Sequence, residues 1–111
     1  MRLDLNTVQR PTLELVMMDE AQTVIRVMMP DKAMFKELTE SDSVASGAEK
    51  GDEESSDALY DLVARLMSCN RDRVVVTAED LEHKYKLDLE SVILVYKAYI
   101  DFVFSIIKEK N

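Results

Sequence analysis

One cysteine, Cys69, and one histidine, His83, lie 14 residues apart in this chain. Nucleophilic or general-base chemistry has to be built from that pair and from carboxylates. A thiol beside an imidazole can act as nucleophile and base when a third group orients the ring. No orienting group or oxyanion-hole loop is suggested, and the plainer reading is a helix-end cysteine and a solvent-facing histidine. A lone histidine also removes two-histidine metal sites. Carboxylates are plentiful, but Asp52, Glu53 and Glu54 form a solvated run, whereas acid–base work needs an apolar cleft that shifts pKa. That run would hold Ca²⁺ at most weakly, because EF-hand spacing is absent. No glycine-rich phosphate loop is present. These residues predict no catalytic, cofactor or metal site, and a binding role in place of an enzyme.

Charge narrows the partners. Acidic residues outnumber basic ones 22 to 14, a net −8. Nucleic-acid binders draw affinity from cations that neutralise phosphates, so this balance disfavours DNA and RNA. Anionic membrane surfaces are disfavoured for the same reason. A single cysteine forms no internal disulfide, which suits a reducing cytoplasm. The first residues, MRLDLNTVQRP, lack the apolar core of a signal peptide. Lys97 and Asp101 interrupt the apolar run near the C-terminus, leaving it too short to span a bilayer. The expectation is a cytoplasmic protein of one domain, residues 1–111.

The elements that would position any site follow from patterning, and two glycines and two prolines in 111 residues favour long regular elements. Residues 12–18 and 23–29 read as a β-hairpin across Asp19-Glu20-Ala21-Gln22. A three-residue loop would set Leu13 against Val27, Leu15 against Ile25, and Glu14 against Arg26 on the other face. Leu3 and Leu5 alternate with polar neighbours and allow a third short strand. Pro30-Asp31 opens a short helix to about Leu38, with Met34, Phe35 and Leu38 on one face. Residues 41–57 hold both glycines, five serines and six acidic residues against one lysine. That composition predicts a flexible acidic linker. The hairpin and short helix thus occupy 1–40, and residues 58–111 form a helical part. Asp57 would cap a helix to about Cys69, burying Leu59, Leu62, Val63 and Leu66. After the polar break Arg71-Asp72-Arg73, Val74-Val75-Val76 reads as extended. Thr77 to Asp80 resembles a capping box with Asp in place of Glu. A short helix to about Tyr85 follows, and Asp88 caps a last helix over 89–108. The fold class is α+β: an N-terminal hairpin and a C-terminal helical bundle.

In that last helix Leu89, Val92, Ile93, Tyr96, Ile100, Val103 and Ile107 form one apolar stripe. Leu94, Val95, Ala98, Tyr99, Phe102, Phe104 and Ile106 widen it. Only Glu90, Lys97, Asp101, Ser105 and Lys108 mark a polar strip. A helix this apolar needs cover on most sides; the hairpin and three short helices supply some of it, and a partner or a second copy in a homo-oligomer would explain the surplus. Met17-Met18 and Met28-Met29 add to the binding case, since one methionine of each pair can face outward as an adaptable apolar contact. The ordinary alternative is core filling. Residues 77–99 also have the outline of a helix-turn-helix, but its second helix reads SVILVYKAYI. A reading helix needs polar and basic groups, so a helical hairpin of the core fits better.

Five stretches carry a resemblance: N-T-V-Q-R-P-T-L-E-L, D-E-A-Q-T-V-I-R-V, D-A-L-Y-D-L-V-A-R-L-M-S-C-N-R, V-T-A-E-D-L-E and K-A-Y-I-D-F-V. Together they resemble small prophage tail-module proteins of Gram-positive bacteria, similar to the tail assembly chaperones of long-tailed phages. The resemblance spans the chain outside the acidic stretch. It implies a non-enzymatic protein that coats the apolar tape-measure protein and brings tail-tube subunits to it without joining the finished virion. The contact candidates are Met18, Met29, Val95, Tyr99, Phe102 and Ile106. The alternatives are a small helix-turn-helix-like transcriptional regulator and a structural tail or head-completion component.

Overall fold

Branched residues on either side of a polar turn make the hairpin. The computed structural model describes residues 1–6 and 10–109, without the side chain of residue 109. Strands β1 (Leu13–Val16) and β2 (Val24–Val27) pair antiparallel with Leu13 opposite Val27, Glu14 opposite Arg26 and Leu15 opposite Ile25, the expected register. Its turn is wider than three residues. The Met17 N–H donates to Thr23 O at 2.8 Å, and Gln22 takes a left-handed φ of 50°. Asp19 holds this turn by accepting from the Thr23 N–H and hydroxyl. The third short strand does not form. Residues 1–6 contain a turn in which Asp4 accepts from the Asn6 N–H, and Leu3 and Leu5 are exposed. Residues 7–9 of the first resemblance stretch lie outside the described residues.

Asp31 caps α1 (Lys32–Thr39), accepting from the Met34 N–H at 2.8 Å. Leu38 is buried, and Met34 and Phe35 pack against the core.

The acidic stretch is not a linker. Residues 41–57 hold α2 (Asp42–Glu49) and the start of α3 (Glu53–Met67). Val44, Ala45 and Ala48 form a small apolar stripe against the core, with Ala48 fully buried. The acidic groups of this stretch are exposed. Composition suggested disorder because it averages over faces, whereas the helix sorts them. Ser41 is buried, donating to Leu38 O and sharing a hydrogen bond with the Tyr96 hydroxyl at 2.5 Å. Gly51, at φ 84°, turns the chain after α2. Asp52, not Asp57, caps α3, accepting from the Ser55 N–H and hydroxyl. Asp57 sits exposed inside the helix.

Gly47 lets α2 meet α3 closely, since a Cβ there would overlap the Ser55 hydroxyl and lie 2.8 Å from the Ser55 Cβ. Gly47→Ala should therefore lower the melting temperature by several degrees, although alanine ordinarily stabilises a helix by about 1 kcal/mol. Thermal unfolding followed by circular dichroism checks the sign.

Along α3, Leu59, Leu62, Val63 and Leu66 are all buried, as their spacing predicts. Beyond it, Asn70 bridges to Val27, and the chain turns through Arg71-Asp72 and Arg73, which takes a left-handed φ of 58°, before Val74–Val76. The Thr77 N–H donates to Asp80 Oδ2 and the Asp80 N–H to Thr77 Oγ1, both at 3.1 Å. That is the expected reciprocal cap. The helix it opens widens into a π-turn, Asp80–Lys84, closed by the Tyr85 N–H donating to Asp80 O. Leu81 and Tyr85 are both buried. Asp88 then caps α4 (Leu89–Glu109), accepting from the Ser91 N–H at 2.9 Å.

Candidate protein-interaction surfaces

The residues that could do chemistry have separate surroundings. Cys69 is half-buried, its thiol directed at Met29 O, and burial, with a smaller contribution from Asp31, pushes its pKa up. A thiol held protonated is a poor nucleophile. His83 is exposed on the π-turn beside Glu82. Among the described residues no group of three or more His, Cys, Asp or Glu is placed to hold a metal ion. Among them also, no helix is long and apolar enough to cross a membrane.

Besides scattered exposed residues such as Leu3, Leu5 and Val75, the described residues present apolar surface on the hairpin and on α4. The first is the outer face of the hairpin. Strand alternation buries Met17, Ile25 and Val27 and leaves Val16 and Val24 as an exposed cross-strand pair. Met18, 57 % exposed, extends that face at the turn, where its sulfur accepts from the Ser91 hydroxyl at the start of α4. The salt bridges Arg26–Glu14 and Arg26–Asp72 border it.

The second lies on α4. Helix α3 and strand β1 pack against this helix, so the buried stripe runs through Val92, Val95, Tyr96, Tyr99 and Val103. It is rotated towards the hairpin relative to the stripe expected from periodicity. Ile93, Ile100 and Ile107 are only partly buried. Leu94 is 60 % exposed and Phe104 43 %. Between α2 and α4 two clefts flank Lys97, which reaches across to Glu49 at 2.7 Å. An exposed pair of this kind contributes little to stability; the buried Ser41–Tyr96 hydrogen bond joins the start of α2 to α4, and Ile93 and Ile100 beside the clefts stay partly open. Glu90, Lys97, Asp101, Ser105 and Lys108 are all exposed, as expected of the polar strip.

No family model, curated protein or solved structure matches this chain.

The six contact candidates do not form one surface. Met18 is exposed, while Met29 packs partly buried against the core. Val95 is 9 % exposed and Tyr99 fully buried, so both are corrected from contact residues to core residues. The Tyr99 hydroxyl donates to Met28 O at 2.8 Å, and burial pushes its pKa well up. Phe102 lies against the Tyr99 ring, with centroids 6.0 Å apart, and Ile106 is half-buried. The physical reason is the rotation of the stripe: the hairpin covers the flank that carries Val95 and Tyr99. Sequence reasoning missed Val16, Val24, Leu94 and Phe104 as exposed apolar residues. A signal was present for the last two, because they share the 4-3-4-3-4 spacing of Glu90-Leu94-Lys97-Asp101-Phe104-Lys108. The helix-turn-helix outline has no free second helix, since α4 is built into the core by Val92, Val95 and Tyr96.

Proposed function

We propose that this protein is a tail assembly chaperone of a long-tailed phage or prophage. It acts in the bacterial cytoplasm, holding the tape-measure protein and bringing tail-tube subunits to it. The sequence resemblance supports that reading. The observation that carries it is the outer hairpin face, where Val16, Val24 and Met18 are exposed together. A flexible thioether beside branched side chains suits an apolar, repetitive client of variable sequence. The net charge of −8 keeps such a complex dispersed.

Co-expression with the tape-measure protein of the same phage or prophage tests this. The wild type should co-purify with its client and keep it in solution. The double variant Val16→Asp/Met18→Asp should lose at least tenfold in recovered complex while melting within a few degrees of wild type, because both positions are solvent-facing. A client that stays insoluble with the wild type would remove the chaperone reading. Capture undiminished in the double variant would remove the hairpin from it.

A further inference from the structure

Six residues line the outward face of α4 at heptad spacing: Glu90, Leu94, Lys97, Asp101, Phe104 and Lys108. Such a 4-3-4-3-4 seam keeps one stripe facing a second helix over about 30 Å. In a coiled-coil pair its positions would be apolar throughout. Here apolar and charged positions are mixed, and their order is informative. Glu90 and Lys108 stand equally far from position 99, as do Lys97 and Asp101, and Leu94 and Phe104. The row is thus complementary to its own reverse.

We infer that this face binds a second copy of the chain, with the two α4 helices antiparallel about a two-fold axis at Tyr99. In that arrangement Glu90 meets Lys108 of the second copy, Lys97 meets its Asp101, and Leu94 packs on its Phe104. The symmetry repeats each contact, as an isologous interface requires. A parallel pair would set Glu90, Lys97, Asp101 and Lys108 each against its own like charge, which is unfavourable. The antiparallel order removes every such clash.

Leu94 is exposed in the monomer, Phe104 keeps 43 % of its surface open with one side of its ring against Phe35, centroids 6.0 Å apart, and Glu90, Asp101 and Lys108 make no ion pair among the described residues. Lys97 is already paired with Glu49 at 2.7 Å, and in the dimer it shares its charge between Glu49 and the incoming Asp101. The partly buried Ile93 and Ile100 flank the seam along the α2 clefts and add apolar area at its edge. One helix pair is a small interface, and two chains of charge −8 repel, so the dimer forms at micromolar concentration.

Sedimentation equilibrium over a concentration series tests the inference. The mass should rise from one chain to two across the micromolar range. Leu94→Asp should raise the dimer dissociation constant at least tenfold, with the circular dichroism spectrum and melting of the dilute monomer unchanged. Glu90→Lys and Lys108→Glu should each weaken the dimer, and the double variant should recover most of the loss. A wild type that stays monomeric at millimolar concentration overturns the inference. So does a Leu94→Asp dimer as tight as wild type. A double charge swap no tighter than the weaker single variant overturns the antiparallel pairing.

Discussion

Val95→Asp should unfold the protein, whereas Leu94→Asp, one position away, should leave it folded. Val95 is 9 % exposed and faces the packed side of α4, with Val92, Tyr99 and Val103 on the same flank. Val95 belongs to the apolar core cluster, and an unpaired buried charge costs about 4 kcal/mol. Small domains have only roughly 5–15 kcal/mol in total. The Val95→Asp chain should therefore melt many degrees lower and show a reduced helical signal at room temperature. Val95→Ala, which removes two methyl groups, should lose only about 1.5 kcal/mol. Leu94 is turned about 100° away around the helix and is 60 % exposed, so an aspartate there should change stability by about 0.5 kcal/mol or less. Thermal melts of the three variants separate these outcomes. Equal melting of Val95→Asp and Leu94→Asp would mean that the hairpin does not cover that flank.

The second large effect belongs to Asn70. Its buried amide nitrogen donates to Met67 O at 2.8 Å and Val74 O at 2.7 Å, while its carbonyl oxygen accepts from the Val74 N–H at 2.9 Å. One side chain thus satisfies three main-chain groups where α3 ends and the chain reverses towards Val76. Around it, Met28 N–H donates to Cys69 O and Arg71 N–H to Arg26 O, so the same corner carries the join between β2 and α3. Asn70→Ala orphans all three groups, at about 3 kcal/mol, and should lower the melting temperature by roughly 12 °C. Asn70→Asp keeps the acceptor but points a carboxylate at two carbonyl oxygens, and should be at least as damaging at neutral pH. Those carbonyls favour the protonated acid, so its folded pKa is raised. The added penalty appears as pH rises above the unfolded carboxyl range near 4 and is relieved below it. Melting of Asn70→Asp relative to wild type should therefore improve as pH falls to about 4. A pH-independent difference would rule out the carbonyl contacts as its cause.

Local chemistry was legible wherever a few neighbouring residues decide the outcome. The hairpin register follows from matching Leu13, Leu15, Ile25 and Val27 to one face. The cap at Asp88 and the reciprocal pair Thr77–Asp80 follow from side chains that reach a main-chain donor three residues away, whereas α3 starts earlier than its apolar stripe implies and is capped by Asp52, not Asp57. The α3 stripe and the polar strip of α4 follow from helical spacing. Residues 41–57 were misread because acidic and serine content predicts the unfolded state of a stretch considered alone. Val44, Ala45 and Ala48 are too small to announce a helix, and they gain their value only when α3 and Tyr96 are already beside them.

The interaction surface shows the same division. From sequence alone, α4 carries more apolar residues than one buried stripe needs, and which of them face outward depends on where its neighbours sit. The hairpin and α3 cover the flank bearing Val95 and Tyr99, while α2 closes only loosely over Ile93 and Ile100. Periodicity determines that a helix has a buried face and a wet one. The direction in which that face is turned is set by the shape and position of the packing partners. Those are contacts between residues far apart in the chain, and only the tertiary structure decided that Leu94 and Phe104, not Val95 and Tyr99, are left exposed.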